Sequence, residues 1–196
     1  MPWFGIVLYL HLIAVVAAFA FASFIHLGLE HMWAAETAPE ALAALRLTAR
    51  GGSKMPWVGL ALLLTGAYLT QAAFRWTAPW IDVSILGLVV LEAVGGISGA
   101  RRQRLAATLG GGTSPTPLSA AQRAALRDPF SRMANYMLPL LTLGIMLVMV
   151  LKPGVAGSVA MLVIAAGAGA GLGLGLKSED GHTDSDRRPS PAAADK

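Results

Sequence analysis

The feature that most limits what this chain can fold into is an apolar run over residues 3–29, WFGIVLYLHLIAVVAAFAFASFIHLGL, without a single Asp, Glu, Lys or Arg. A helix needs about 20 such residues to cross the ~30 Å hydrocarbon layer, and the run supplies them. It carries His11 and His26. At ~100° per residue, His11, Ala14, Ala18, Ala22 and His26 fall on one face. Small residues permit close helix approach, and polar groups inside a bilayer face the bundle rather than lipid. The run therefore reads as the innermost helix. A cleaved signal peptide is the competing reading, with Ala20, Phe21 and Ala22 as its small-residue end. No basic segment precedes the run, and it is longer than the usual apolar core of about 7–15 residues, so a retained span is expected.

Four further apolar runs follow, at about 55–74, 79–99, 134–151 and 155–176. The last two are separated only by Lys152, Pro153 and Gly154, a tight turn signal. The expected architecture is an all-α, polytopic membrane helical bundle of about five transmembrane helices over residues 1–176. A disordered cytoplasmic tail over 177–196, rich in Asp, Ser and Pro, completes it. Composition agrees: 13% of residues are charged, against about 25% in an average soluble domain. The absence of cysteine excludes disulfides, thiolate metal sites and cysteine nucleophiles.

A net charge of +4 suggests nucleic acid at first sight. The cations are placed for orientation instead, so no nucleic-acid partner is expected. Of the 15 Lys and Arg, all but Arg75 and Lys152 fall on one side of the five-span arrangement. The positive-inside rule then gives N-terminus out and C-terminus in, in a bacterial inner membrane. Trp3, Trp76 and Trp80 would lie at the outer interface, Trp33 and Trp57 at the inner one.

The first inner connection has capping-box spacing at Thr37 and Glu40, with Pro39 in the first turn. Beyond it Leu42, Leu45 and Ala49 form an apolar face, and Arg46, Arg50 and Lys54 recur every fourth residue. Such a helix either lies on a leaflet with its cations at anionic lipid headgroups or forms a solvated connector. The second inner connection contains a Gly-rich flexible break at 110–115 and a short basic helix opened by Ser119 and Gln122.

Soluble-enzyme signatures are missing: no phosphate loop, no HExxH, no Gly-x-Ser-x-Gly elbow. Gly167, Gly171 and Gly175 form a double GxxxG ridge, suited to packing within the chain or to a homo-oligomer. Glu92 is the one acid well inside a span, at a depth costing ~2.5–3.5 kcal/mol unless compensated. At ~1.5 Å per residue, His11, Thr65, Thr142 and Glu92 lie ~12–20 Å from the outer boundary, with Tyr9 above them. They are the candidate buried polar layer, either a proton or ligand relay or a structural hydrogen-bond network. His11 and His26 are ~22 Å apart along one helix and cannot both ligate one haem. Haem b or copper would need His11 with a ligand such as Met146 from another helix. Methionines at helical spacing serve more commonly as packing, so no cofactor is expected.

Residues 62–69, LLLTGAYL, carry a resemblance, together with the first-span histidine, the Thr65 and Gly66 pair, Pro79 and Trp80, and the Leu151 to Gly154 turn. On these the chain resembles an uncharacterised bacterial family of integral membrane proteins, a domain of unknown function. More distantly it is similar to the CopD copper-resistance proteins and the HemJ-type protoporphyrinogen oxidases, whose first helix also bears a histidine. The distant resemblance implies haem-linked redox chemistry or copper handling with His11 as the matching histidine. The chain departs from it in having no lysine inside the third run and no tryptophan after His11 in the first. The residues themselves point to a non-enzymatic membrane component.

Overall fold

The computed structural model describes residues 2–74, 76–109 and 117–185, apart from the side chains of Pro2 and 176–185. Seven helices follow one another: α1 (Pro2–Ala34), α2 (Ala38–Gly52), α3 (Met55–Ala73), α4 (Pro79–Leu109), α5 (Ala120–Leu126), α6 (Pro129–Leu151) and α7 (Val155–Ser185). No strand forms among the described residues; Thr37 and Pro117 make an isolated bridge. The chain is all-helical, as its apolar patterning predicts.

Four segments are long and apolar enough to cross a membrane: Trp3–Ala34, Pro79–Leu109, Ala120–Leu151 and Val155–Gly175. These make the chain a multi-pass membrane protein. The expected second span is α3, with 19 residues. It falls outside that set because Thr65, Tyr68, Thr70 and Gln71 dilute its leucines.

Local signals start α2 and α5 where the sequence places them, and start α6 at Pro129, ahead of the expected 134. Glu40 accepts hydrogen bonds from the backbone N–H groups of Glu36 (3.0 Å) and Thr37 (3.3 Å), holding the first turn of α2. Ser119 and Gln122 bond reciprocally at the start of α5, at 3.2 and 2.9 Å. Asp128 caps α6, accepting from the Phe130 and Ser131 N–H groups, and pairs with Arg101 at 3.3 Å. Lys152, left-handed at φ 49°, ends α6 and turns the chain into α7.

Several helices outrun the expected spans. α1 exceeds the length a bilayer needs, and α2 doubles back along its last turns. Gly51 is seated on the Phe21 carbonyl and Ile25, and Gly28 on Ala44 and Thr48, so the two helices are antiparallel. Leu29, Met32, Ala41, Leu45, Leu109 and Leu126 close a core there with α4 and α5. In the inner third of the first apolar run Gly28 and Leu29 are buried at this contact, while Phe24 and Leu27 stay exposed. The buried face of α2 is Ala41, Ala44, Leu45, Thr48 and Gly51; of the expected apolar face Leu45 is buried, Leu42 half-buried and Ala49 exposed, and Arg46, Arg50 and Lys54 are exposed as well. α7 continues past the expected end at Leu176 to Ser185. Once a helix is nucleated each further residue adds a bond, which carries the backbone of 177–185 along. The remainder of the expected tail, 186–196, and the glycine break at 110–115 lie outside the described residues.

α1 is not the innermost helix. Ala14 and Ala18 are buried, but Val16 is 69% and Tyr9 64% exposed. Small residues on one face sufficed for α1 to pack on α3 and α2, and its other faces were left for lipid. The central helix is α6, which packs on α7, on α4 and, at one end, on α1. Val83, Leu91, Leu141, Ile145, Val148 and Leu162 form its core with α4 and α7. Gly169 lies against Met137 and the Tyr136 carbonyl, and Gly173 against Met133 and the Arg132 carbonyl. The close helix contact is made by these two glycines. The ridge of Gly167, Gly171 and Gly175 faces open space on the opposite side.

Candidate functional site

The helices form two groups, α1 with α2 and α3, and α4 with α6 and α7. Between them runs a cavity of about 1110 Å³. Its walls are mostly apolar, with leucine and alanine the commonest residues, and come chiefly from α1, α3, α4 and α6. One end lies at the α3–α4 and α6–α7 turns, where the Phe74 and Trp80 rings stack edge to face at 5.2 Å and the Lys152 ammonium sits 5.3 Å from the Phe74 ring. The other end is flanked by Arg46 and Ser53 of the α2 region and by Arg102 and Gln103 of α4.

His11 and Thr65, expected in one polar layer, meet directly: His11 Nδ1 is 2.8 Å from Thr65 Oγ1. The Thr65 hydroxyl donates to the Ala61 carbonyl at 2.6 Å, which uses its single hydrogen. His11 Nδ1–H is therefore the donor to Thr65, and the lone pair of the neutral ring is on Nε2. Gly66 gives the imidazole a smooth backing: a Cβ there would touch His11 Cε1 at 3.5 Å. His11 lines the cavity, with Thr65 behind it.

Glu92 also lines the cavity, at a second level. Its carboxylate lies against Gly59 of α3, where a side chain would overlap Oε1. Gly59 and Thr65 are ~9 Å apart along α3, so the expected single layer is two tiers. Among the described residues Glu92 has no hydrogen-bond partner. Thr142 faces the same cavity from α6 but gives its hydroxyl to the Leu138 carbonyl of its own helix, at 2.9 Å. Met146, the candidate second ligand, lines the cavity from α6 as well. No group of three or more His, Cys, Asp and Glu side chains converges among the described residues. Arg46 reaches the cavity, while Arg50 and Lys54 of the same stripe do not line it.

Sequence reasoning missed a second polar cluster, where α1 meets α6. His26 Nδ1 is 2.8 Å from Asn135 Nδ2, and the Tyr136 hydroxyl donates to Glu30 at 2.8 Å. The His26 and Tyr136 rings stack edge to face at 5.5 Å. By sequence His26 lies ~22 Å from His11 along one helix, with no partner expected on another. The available signal was the spacing of His26 and Glu30 on one helical face, with adjacent Asn135 and Tyr136 near the start of another apolar run.

Comparison with known proteins adds no relative: no family model, no curated protein and no solved structure matches this chain.

Proposed function

We propose that the chain is a non-enzymatic component of a bacterial inner membrane whose working part is the cavity, a chamber that takes an apolar or amphipathic guest from the bilayer. In this reading α3 is the fifth span. Its pairing with α1 through His11 and Thr65 supports that, since α3 runs alongside a helix apolar enough to cross. The distribution of Lys and Arg supports N-terminus out and C-terminus in. The observation that carries the proposal is that His11 and Glu92 line one apolar cavity from different helices and keep polar atoms unused by the protein. Ligand sites have this form: apolar walls with a few polar groups that fix orientation.

Plugging the chamber tests the proposal. A Cβ at Gly96, on the cavity wall, meets open space, so Gly96→Phe adds a ring without displacing backbone. Released intact from micelles into a mass spectrometer, the wild type should retain a bound amphiphile and Gly96→Phe should not. Equal retention by the two, or none by the wild type, contradicts the proposal.

One observation favours a second reading, a haem- or copper-associated redox protein similar to CopD or HemJ. With Nδ1 tied to Thr65, His11 has Nε2 left for a ligand, and Met146 stands on the same cavity. A Soret band or stoichiometric copper in the purified protein, lost in His11→Ala, would favour it over the first. Neither in the wild type would remove it.

A further inference from the structure

The two ends of the cavity differ in charge, and the difference bears on what it holds. At the α2 end, Arg46 and Arg102 approach it from opposite helix groups, with Gln103 and Ser53 beside them. Arg102 donates one hydrogen bond, to the Ser98 hydroxyl at 3.2 Å. A guanidinium carries five donors, so most of its capacity is unused. Its neighbour Arg101 is turned to Asp128, 3.3 Å away. The acid on the cavity wall is Glu92, ~15 Å from Arg102 along α4. A half-buried cation beside apolar walls is unfavourable without a counter-charge, and none is supplied at this end by the described residues.

Beyond the two arginines the walls are largely apolar up to the aromatic cluster at the turns, with Leu62, Leu88 and Leu138 among them, and are interrupted by polar groups such as Glu92, Thr142 and His11. The volume, about 1110 Å³, exceeds the ~300–1000 Å³ of ordinary small-molecule pockets, and the space extends along the helices. Arg102 also lies past the apolar part of α4, and Ser53 in the turn before α3, where chain leaves hydrocarbon for headgroups.

Resting on the reading of the cavity as a guest chamber, we infer that its guest is an anionic, phosphate-headed membrane lipid. The phosphate sits between Arg46 and Arg102, and an acyl chain follows the walls toward the Phe74 and Trp80 rings. A planar guanidinium matches phosphate bidentately, which gives the head its place. Net negative charge is selected because a zwitterionic head brings a cation to a site that already has two.

The test is competition in mixed micelles holding equal amounts of phosphatidylglycerol and phosphatidylcholine with matched chains, read by intact-complex mass spectrometry. The wild type should retain phosphatidylglycerol over phosphatidylcholine by about tenfold, the size of one charge-assisted contact. Arg46→Ala and Arg102→Ala should each remove most of that preference. Arg50→Ala, on the same stripe but off the cavity, should keep it. Should Arg102→Ala fail to accumulate, the exposed Arg46 carries the test. Excess inorganic phosphate should leave the lipid bound; displacement by phosphate alone would make this a free-anion site and overturn the inference. Equal retention of the two lipids, both lost in Gly96→Phe, would overturn the headgroup assignment and leave the chamber standing. Indifference to Gly96→Phe would overturn the chamber itself.

Discussion

At the scale of single residues, the pair His11 and Thr65 joins α1 to α3 across a mostly apolar contact. Thr65→Val keeps the shape and removes the acceptor, and should destabilise the detergent-solubilised protein by about 1 kcal/mol, within the range for hydrogen bonds between membrane helices. Thr65→Ser should not. A thermal melt with no difference between Val and Ser would show the bond to be idle. Outside the membrane, the Glu36 and Thr37 N–H groups hold the Glu40 carboxyl below its ordinary range. Its support of α2 is therefore complete above the unfolded carboxylate range and is lost as pH falls through the lowered folded value. Amide exchange in the first turn of α2 should speed up across that fall in the wild type but not in Glu40→Gln. The pairing of His11 with Thr65 was legible, because depth along two apolar runs nearly determines which polar residues can meet. Glu92 was legible as an inward group, but not its seat on Gly59, since nothing in the pattern of α4 says which glycine of α3 it meets. His26 with Asn135 was hidden although both lie inside the expected spans, because nothing in either apolar run says which helix end meets which.

At the scale of elements, the Asp128 cap starts α6 ahead of its apolar run and was not expected, whereas the helices and the caps at Thr37 and Ser119 follow from hydrophobic runs and capping residues. Which side of α7 packs does not. Every second residue from Gly167 to Gly175 is glycine, so the sequence holds two interleaved ridges, and partner geometry chooses between them. A Cβ at Gly173 would come within 2.7 Å of Met133 Cα and 2.8 Å of the Arg132 carbonyl oxygen. Gly173→Leu should therefore cost about 1–3 kcal/mol of bundle stability, as overpacking does. Gly171→Leu, facing open space, should leave the melting temperature of the monomer unchanged. Equal effects from the two would mean that α7 is rotated about its axis. Cross-linking of the same variants reads the homo-oligomer: a ridge used between copies would lose its cross-links in Gly171→Leu.

At the scale of the whole molecule, composition and apolar runs were enough for an all-helical, multi-pass protein. The cavity was not legible, because it comes from sparse packing between two helix groups, and each lining helix reads as amphipathic or apolar in isolation. The count of spans turns on α3. If α3 crosses, the turn before it and the turn between α6 and α7 lie on opposite faces of the membrane; if it does not, they share a face. The chain has no cysteine, so Ser53→Cys and Gly154→Cys each place a single thiol at these turns. In intact cells an impermeant maleimide should label Gly154→Cys, and Ser53→Cys should react only after permeabilisation. Labelling of both from the same side would remove α3 from the membrane, and with it the wall on which His11 and Glu92 rest.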